Sequence, residues 1–154
     1  MENGSRTVKD KHKRAHMKAA FAYAECSTAV RLQVGCVIVK DNRVISIGYN
    51  GMPSGWTNEC EDEVFSKVSK IEVTKELVTK PEVLHAESNA LMKLARSTNS
   101  SEGATIYCTY SPCFDCAKLI VQSGVKRFVY NETYRNTEGL DLLKKAGVEI
   151  VNYE

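Results

Sequence analysis

Residues 104–130 read ATIYCTYSPCFDCAKLIVQSGVKRFVY, and the order of β-rich and helical segments in them indicates the class of fold. It opens with a β-rich run at 104–109 and continues with a helical segment at 113–122, which Gly124 closes as a C-terminal cap. It then returns to a β-rich run at 125–130. A strand, a helix and a second strand in this order predict two parallel strands joined by a helix that covers the sheet.

The flanking sequence extends this pattern on both sides. Two β-rich runs at 34–39 and 44–49 are separated by four polar residues, which predicts a hairpin and makes the sheet mixed. The other predicted elements are a helix at 9–26 with Met17, Ala20, Phe21 and Ala24 on one stripe, a loop from Asn50, a helix and linker at 61–80, helices at 86–96 and 140–146, and a strand at 148–151. The prediction is an α/β fold, a three-layer α/β/α sandwich with a five-stranded mixed sheet. One domain at 9–154 would follow a flexible tail at 1–8.

Composition and charge argue against several classes of function. The 154 residues carry a formal net charge of +2, which gives no broad basic field for a nucleic acid. No apolar run approaches the length of a membrane span, and the N-terminus from Met1 to Arg14 is polar and basic, unlike a signal peptide. Six cysteines without a secretion signal favour metal ligation over disulfides. We therefore expect a cytoplasmic protein, in the host cytosol if the chain is viral.

A metal site is predicted from His85, Cys113 and Cys116, which combine one imidazole with two thiols. The two cysteines lie three residues apart at a helix start, so both thiolates can face one ion where the helix N-terminus favours anions. Three protein ligands leave the fourth corner of a tetrahedral zinc open, which is typical of a catalytic site. A closed structural site would need a fourth ligand. Cys108 is the candidate, although its place in a strand favours a buried small side chain.

Glu87 is the predicted catalytic residue because it stands beside His85 and is not needed as a ligand. Zinc lowers the pKa of a bound water from about 16 toward about 7. A neighbouring carboxylate can then accept the proton of that water and act as a general base and acid.

The blocks 85–87 (His-Ala-Glu) and 112–116 (Pro-Cys-Phe-Asp-Cys) resemble the His-x-Glu and Pro-Cys-x-x-Cys pattern of zinc-dependent cytosine and adenine deaminases. Two further blocks extend the resemblance, Arg31-x-x-Val34-Gly35 and the Gly-Tyr-Asn-Gly-Met-Pro run at 48–53, and the second of them is the more discriminating element. Together these blocks are similar to the deoxycytidylate (dCMP) deaminase family across most of 20–151. The resemblance implies a cytidine deaminase-like fold and hydrolysis of dCMP to dUMP and ammonia, which would supply dUMP for thymidylate synthesis.

The resemblance also implies roles for individual residues. Asn50 would hydrogen-bond the deoxyribose or the base edge, and the main chain at Ala86 and around Ser111 would orient the pyrimidine. Tyr134 and Arg135 follow the strand after the cysteine-bearing helix, where a ligand crevice is expected. Tyr134 is therefore assigned to the sugar or base and Arg135 to the 5′-phosphate. The alternative for Arg135 is a solvated loop arginine.

Regulation and assembly are implied by the resemblance alone. Members of the family are typically hexamers that dCTP with Mg²⁺ activates and dTTP inhibits, so we expect a homo-hexamer with these effectors and one catalytic Zn²⁺. The effector site is expected at Arg31, Gly51 and Asp62. One departure from the family pattern is Ala29, which stands where a cysteine is common. This argues against a second, structural zinc, although Cys26 and Cys60 could be recruited.

Two rival hypotheses remain. The first is a zinc-dependent deaminase that acts on another nucleoside or on a nucleic acid, which would need a positively charged path and aromatic platforms. The second is a non-catalytic, zinc-stabilised module, which would need a fourth protein ligand.

Overall fold

The computed structural model describes residues 9–153. The predicted tail at 1–8 lies outside these residues, and the assignment of 9–154 to one domain stays a prediction. In chain order the elements are α1 (Asp10–Ala24), β1 (Gly35–Lys40), β2 (Arg43–Tyr49), β3 (Glu61–Lys67), β4 (Val73–Thr79), α2 (Ala86–Ala95), β5 (Thr105–Tyr110), α3 (Phe114–Gln122), β6 (Arg127–Glu132), α4 (Glu138–Lys145) and β7 (Glu149–Asn152). Among the helices of this described part, none is long and apolar enough to span a membrane.

Five strands form the central sheet in the order β2-β1-β5-β6-β7. β1 runs antiparallel to both β2 and β5, whereas β5, β6 and β7 are parallel to one another. The prediction of a mixed five-stranded sheet is confirmed, and so is the parallel pairing of the two strands that α3 connects. The β1–β2 hairpin turns through Asp41 and Asn42, whose φ angles are 51° and 59°. Two positive φ values are what a tight two-residue hairpin turn requires.

Helices cover both faces of this sheet. On one face α2, α3 and α4 pack over a buried cluster that includes Ile38 and Ile106. On the other face α1 buries Met17 against Val37 and Tyr107. Neighbouring residues along β1 and β5 thus point to opposite faces, as the two-residue period of a strand dictates. The three-layer α/β/α prediction is confirmed.

The prediction of a helix and linker at 61–80 is wrong, because this stretch forms the β3–β4 hairpin, a separate two-stranded antiparallel sheet. Val64, Val68 and Ile71 have helical spacing, but all three are exposed and form no buried helical face. The β4 half of the stretch is rich in valine and threonine, which favour extended backbone. The chain reverses at Ser69, whose hydroxyl accepts hydrogen bonds from two main-chain N–H groups that follow it.

Two smaller predictions also differ from the structure. Phe21 was expected on the buried stripe of α1 but is 43% exposed, because Met17, Ala20 and Ala24 fill the face that meets the sheet. β6 begins at Arg127 rather than at 125, and α4 begins two residues before its predicted start at 140. Hydrophobic periodicity locates an element well and its ends poorly, since the terminal residues share the composition of the loops.

Candidate active site

The three predicted metal ligands lie together at the N-termini of two helices. His85 is the N-cap residue of α2, Cys113 is the N-cap residue of α3, and Cys116 lies in the first turn of α3. Nδ1 of His85 is 3.3 Å from Sγ of Cys113 and 3.4 Å from Sγ of Cys116. Within 9–153 these residues are the one group of three or more potential ligands whose atoms lie within 4.8 Å of one another. One nitrogen and two sulfurs at this spacing suit a tetrahedral zinc with one open position.

The local sequence explains why both helices begin at this point. Pro112 is fully buried just before α3, and the Cys113 sulfur caps that helix by accepting a hydrogen bond from the N–H of Cys116 at 3.4 Å. α2 passes β2 closely at Gly48, where a Cβ atom would overlap the main-chain oxygen of Ala86. Glycine therefore allows the start of α2 to lie directly on the sheet beside the start of α3.

Hydrogen bonds within the group set the protonation of its members. A hydrogen bond from Cys116, together with one from His85, lowers the pKa of Cys113 to about 4, which makes Cys113 a thiolate at neutral pH. The hydrogen bond to Cys113 raises the pKa of His85, and a hydrogen bond to Cys113 together with burial raises the pKa of Cys116. These shifts favour the protonated forms of His85 and Cys116 beside a thiolate. A cation that displaces those protons would satisfy all three side chains, which is the behaviour of a zinc site.

Glu87 lies in the first turn of α2 and is only 4% exposed. Burial raises the pKa of its carboxyl above the usual 4.5. Its Oε1 atom accepts a hydrogen bond from Sγ of Cys108 at 3.4 Å. A buried carboxyl with a raised pKa, next to a metal-ligand group, is suited to accepting and releasing protons.

The remaining cysteines form no further group of this kind in the part of the chain that is described. Cys108 is a buried thiol of β5 and not a fourth ligand, in agreement with its predicted place in a strand. Its contact with Glu87 was not predicted, because that contact depends on how β5 faces α2. Cys36 and Cys60 are also buried, whereas Cys26 is exposed.

A cavity of about 340 Å³ opens beside the metal-ligand group. This volume lies in the range of small-molecule sites. All five residues predicted to bind substrate line it, namely Asn50, Ala86, Ser111, Tyr134 and Arg135. On the side of the metal site the wall is formed by two of the ligands, His85 and Cys113, and by Glu87. Residues that are far apart in the sequence therefore surround one space with the predicted catalytic groups.

Two of these residues also hold the loops of the cavity. The hydroxyl of Ser111 accepts a hydrogen bond from the main-chain N–H of Tyr134 at 2.6 Å, which ties the loop after β6 to the loop after β5. The Asn50 side chain accepts a hydrogen bond from the N–H of Val34 at 2.8 Å and donates one to the carbonyl of Leu32 at 2.7 Å. An amide side chain has two donors and can accept twice, so Asn50 retains hydrogen-bonding capacity for a ligand.

The residues predicted to bind an effector are not together. Arg31 lines the cavity, whereas Gly51 and Asp62 are not part of its wall. Gly51 forms an isolated antiparallel bridge with Leu84, and Asp62 lies 3.5 Å from Nζ of Lys80. Arg31 therefore shares its space with Glu87 rather than with the other two residues.

Glu61 and Thr79, at the base of the β3–β4 hairpin, also line the cavity and were not predicted. Oε1 of Glu61 accepts hydrogen bonds from the N–H groups of Val30 at 2.9 Å and Arg31 at 3.2 Å. The Arg31 guanidinium donates to Oγ1 of Thr79 at 3.2 Å. The helical interpretation of 61–80 concealed these contacts, since only a hairpin brings its first and last residues together. The hairpin thus fixes both the main chain and the side chain of Arg31.

Known proteins resemble this chain along most of its length. Residues 10–132 match the family model described as the cytidine and deoxycytidylate deaminase zinc-binding region. The deoxycytidylate deaminase of Enterobacteria phage T4 is 37% identical over 168 residues, which cover 88% of this chain and 86% of the phage protein. The Homo sapiens deoxycytidylate deaminase is 37% identical over 139 residues, which cover 86% of this chain and 74% of the human protein.

A solved structure resembles it as well. The crystal structure of dCMP deaminase from the cyanophage S-TIM5, in complex with dCMP and dUMP, matches with a TM-score of 0.82 and 40% sequence identity. The match covers 96% of this chain and 100% of the cyanophage chain.

Proposed function

The chain belongs to the cytidine and deoxycytidylate deaminase family, and we propose that it catalyses the hydrolytic deamination of dCMP to dUMP and ammonia. The observation that carries the proposal is the buried Glu87 carboxyl beside His85, Cys113 and Cys116, at a cavity whose wall also contains arginine. The cyanophage relative with dCMP and dUMP in its crystal structure supports the same substrate for this chain. The dUMP formed would supply thymidylate synthesis.

Zn²⁺ is the cofactor that fits the His85, Cys113 and Cys116 donor set, and when bound it supplies a water whose pKa is near neutrality. Glu87 accepts a proton from the water that adds to C4 of cytosine and delivers it to N3. It then takes the proton of the new C4 hydroxyl and passes it to the amino group, which leaves as ammonia when the C4–N bond breaks and the C4 carbonyl forms. The raised pKa of Glu87, caused by burial, supports this role because the carboxyl can both accept and release a proton. The S–H of Cys108 holds one carboxyl oxygen in place.

The cavity wall offers a place for each part of the nucleotide. The main chain at Ala86 and Ser111 would orient the pyrimidine, and Asn50 would bind the deoxyribose or the base edge. Arg135, with Tyr134 beside it, would bind the 5′-phosphate through the planar fork of its guanidinium. We add Arg31 as a second cation for this phosphate, since it lines the same cavity and Thr79 holds its side chain.

Regulation, assembly and location form the less direct part of the proposal. Family resemblance supports a homo-hexamer that dCTP with Mg²⁺ activates and dTTP inhibits. Gly51 and Asp62, which stand outside the cavity wall, are the remaining candidates for effector contacts. A cytoplasmic location is proposed because the thiol ligands must stay reduced to bind zinc.

One substrate series tests the proposed reaction. Ammonia release from the zinc-loaded protein is measured with cytidine, CMP, dCMP, dCTP and a cytosine-containing oligonucleotide. The proposal expects the highest kcat/KM with dCMP. Cytidine is expected to be the poorer substrate because it lacks the phosphate that the two arginines of the cavity wall would bind. Faster turnover of the oligonucleotide would establish the rival nucleic-acid deaminase instead. Repeating the dCMP assay over a range of dCTP and dTTP concentrations tests regulation, and a rate indifferent to both would refute it.

A further inference from the structure

The β3–β4 hairpin exposes a large part of its apolar side chains. These side chains are Val64, Phe65, Val68, Ile71, Val73 and Val78, of which Ile71 is 98% exposed. The hairpin is attached at its base, where the N–H of Lys80 donates to the carbonyl of Cys60 at 2.8 Å and Glu61 binds the N–H groups of Val30 and Arg31. A two-stranded hairpin is marginally stable alone in water, so one with this surface is expected to pack on a partner.

β3 is the edge that fits a partner strand best. It pairs with β4 on one side, and within the described residues no strand pairs with its other edge, which leaves main-chain N–H and C=O groups for a further strand. β3 reads EDEVFSK, with three acidic residues before Val64 and a lysine at its end. β4 reads VTKELVT and centres on Glu76, which would face its own copy across a two-fold axis. Like charges placed directly opposite are destabilising, so β4 is the poorer edge.

A second copy of this chain supplies the complementary charge order when its β3 runs antiparallel. A two-fold axis at Val64 places Glu61 of each copy opposite Lys67 of the other, and opposite charges across a strand pair are favourable. The same arrangement carries the hairpin tip, with Val68 and Ile71, beyond Glu61 of the other copy. Val30 is bound to Glu61 there and is 74% exposed, so the apolar tip meets apolar surface at the base.

We propose that β3 is an interface with a second copy of this chain, in which two β3 strands pair antiparallel about Val64 and form a continuous four-stranded sheet. The inference does not depend on the reaction that the protein catalyses. It places a subunit contact next to Glu61 and Thr79 in the cavity wall. Pairing would therefore also steady the hairpin that holds Arg31.

Cysteine cross-linking tests the register of this pairing. Val64→Cys and Val78→Cys are matched variants, since the two valines are 41% and 40% exposed and lie on the same face of the hairpin. Both are made with Cys26→Ser, which removes an exposed thiol. After mild oxidation, Val64→Cys is expected to form a covalent dimer on a non-reducing gel, because the two copies of position 64 lie opposite each other. Val78→Cys is expected to remain uncross-linked, and equal cross-linking of the two variants would overturn the proposed pairing.

Charge exchange tests the partner. Lys67→Glu places like charges opposite each other twice in a dimer of that variant, and so does Glu61→Lys. Each variant alone is expected to raise the dissociation constant of the β3 pairing about tenfold or more in analytical ultracentrifugation. A mixture of the two variants restores both opposite-charge contacts, so it is expected to associate more tightly than either variant alone. It is not expected to reach the full wild-type affinity, because Glu61→Lys also removes the acceptor of the Val30 and Arg31 N–H groups. The proposal is overturned if the wild-type protein is monomeric at micromolar concentration, or if the mixture associates no better than the separate variants.

Discussion

Arg31→Ala is expected to lower kcat/KM for dCMP by about 10- to 150-fold and to leave kcat/KM for deoxycytidine unchanged. The reason is that Arg31 and Glu87 line the same cavity, where the 5′-phosphate of the substrate would be the partner of Arg31. A hydrogen bond to a charged group contributes about 1.5–3 kcal/mol, and each 1.4 kcal/mol is a factor of ten, which gives this range. Deoxycytidine has no phosphate and therefore makes no such contact.

The structure favours the upper part of that range. The Arg31 guanidinium already donates to Oγ1 of Thr79 at 3.2 Å, so less side-chain entropy is lost when a phosphate binds. Thr79→Val removes this support and keeps the guanidinium. It is expected to have a smaller effect, a loss of about 2- to 13-fold, because the guanidinium must then be ordered when the phosphate binds, at a cost of about 0.5–1.5 kcal/mol for one long side chain.

The assay follows the absorbance change of deamination with dCMP and with deoxycytidine as alternative substrates. Arg43→Ala is the matched control, because Arg43 is an exposed arginine of β2 that does not line the cavity. Equal losses with both substrates would show that Arg31 has a structural role, and no loss with either would refute its contact with the phosphate. If Arg31→Ala keeps normal dCMP kinetics but no longer responds to dCTP, Arg31 belongs to the effector site instead.

Three further predictions concern the metal-ligand group and its supports. Zinc affinity is expected to fall as the pH drops below the raised pKa of His85, by about tenfold per pH unit for each proton that the metal displaces. Competition with a chromogenic chelator at several pH values measures this affinity. An affinity independent of pH between 5 and 8 would contradict the prediction. In the pH profile of kcat for dCMP, the fall on the acid side is expected above pH 4.5, because burial raises the pKa of Glu87 and a protonated carboxyl cannot accept a proton from water. A fall at or below pH 4.5 would argue against Glu87 as the base. Gly48→Ala is expected to cost about 1–3 kcal/mol of folding free energy, since its Cβ would overlap the main-chain oxygen of Ala86. An unchanged midpoint of thermal unfolding would contradict the close approach of α2 to β2.

The sequence was sufficient for the central sheet and for the metal-ligand group. In residues 104–130, strand–helix–strand order and the spacing of Cys113 and Cys116 predict both the parallel pairing and the position of the ligands at a helix start. His85 could be joined to them through the resemblance of 85–87 and 112–116 to the zinc deaminase pattern, and the two helix starts meet in the structure. The sheet follows from local periodicity, whereas the ligand set depends on residue type and on that resemblance.

The hairpin and the contacts around it could not be obtained in this way. At 61–80 both faces of each strand are exposed, so no alternation of apolar and polar residues indicated a strand. The chance helical spacing of Val64, Val68 and Ile71 therefore led to the incorrect prediction of a helix. Two contacts join residues more than 20 positions apart in the sequence. They are the contact between Cys108 and Glu87 and the contact between Arg31 and Thr79. They are set by how the elements pack, which composition and spacing do not reveal.

We propose that Glu87 moves protons in a zinc-dependent deamination of dCMP. The most direct test of this role compares ammonia release from dCMP by the wild-type protein and by Glu87→Gln, with the zinc content of both measured on the same preparations. We predict an equal zinc content, about one ion per chain, and a loss of about 10²- to 10⁴-fold in kcat for the variant. Near-normal turnover by zinc-loaded Glu87→Gln would contradict the account.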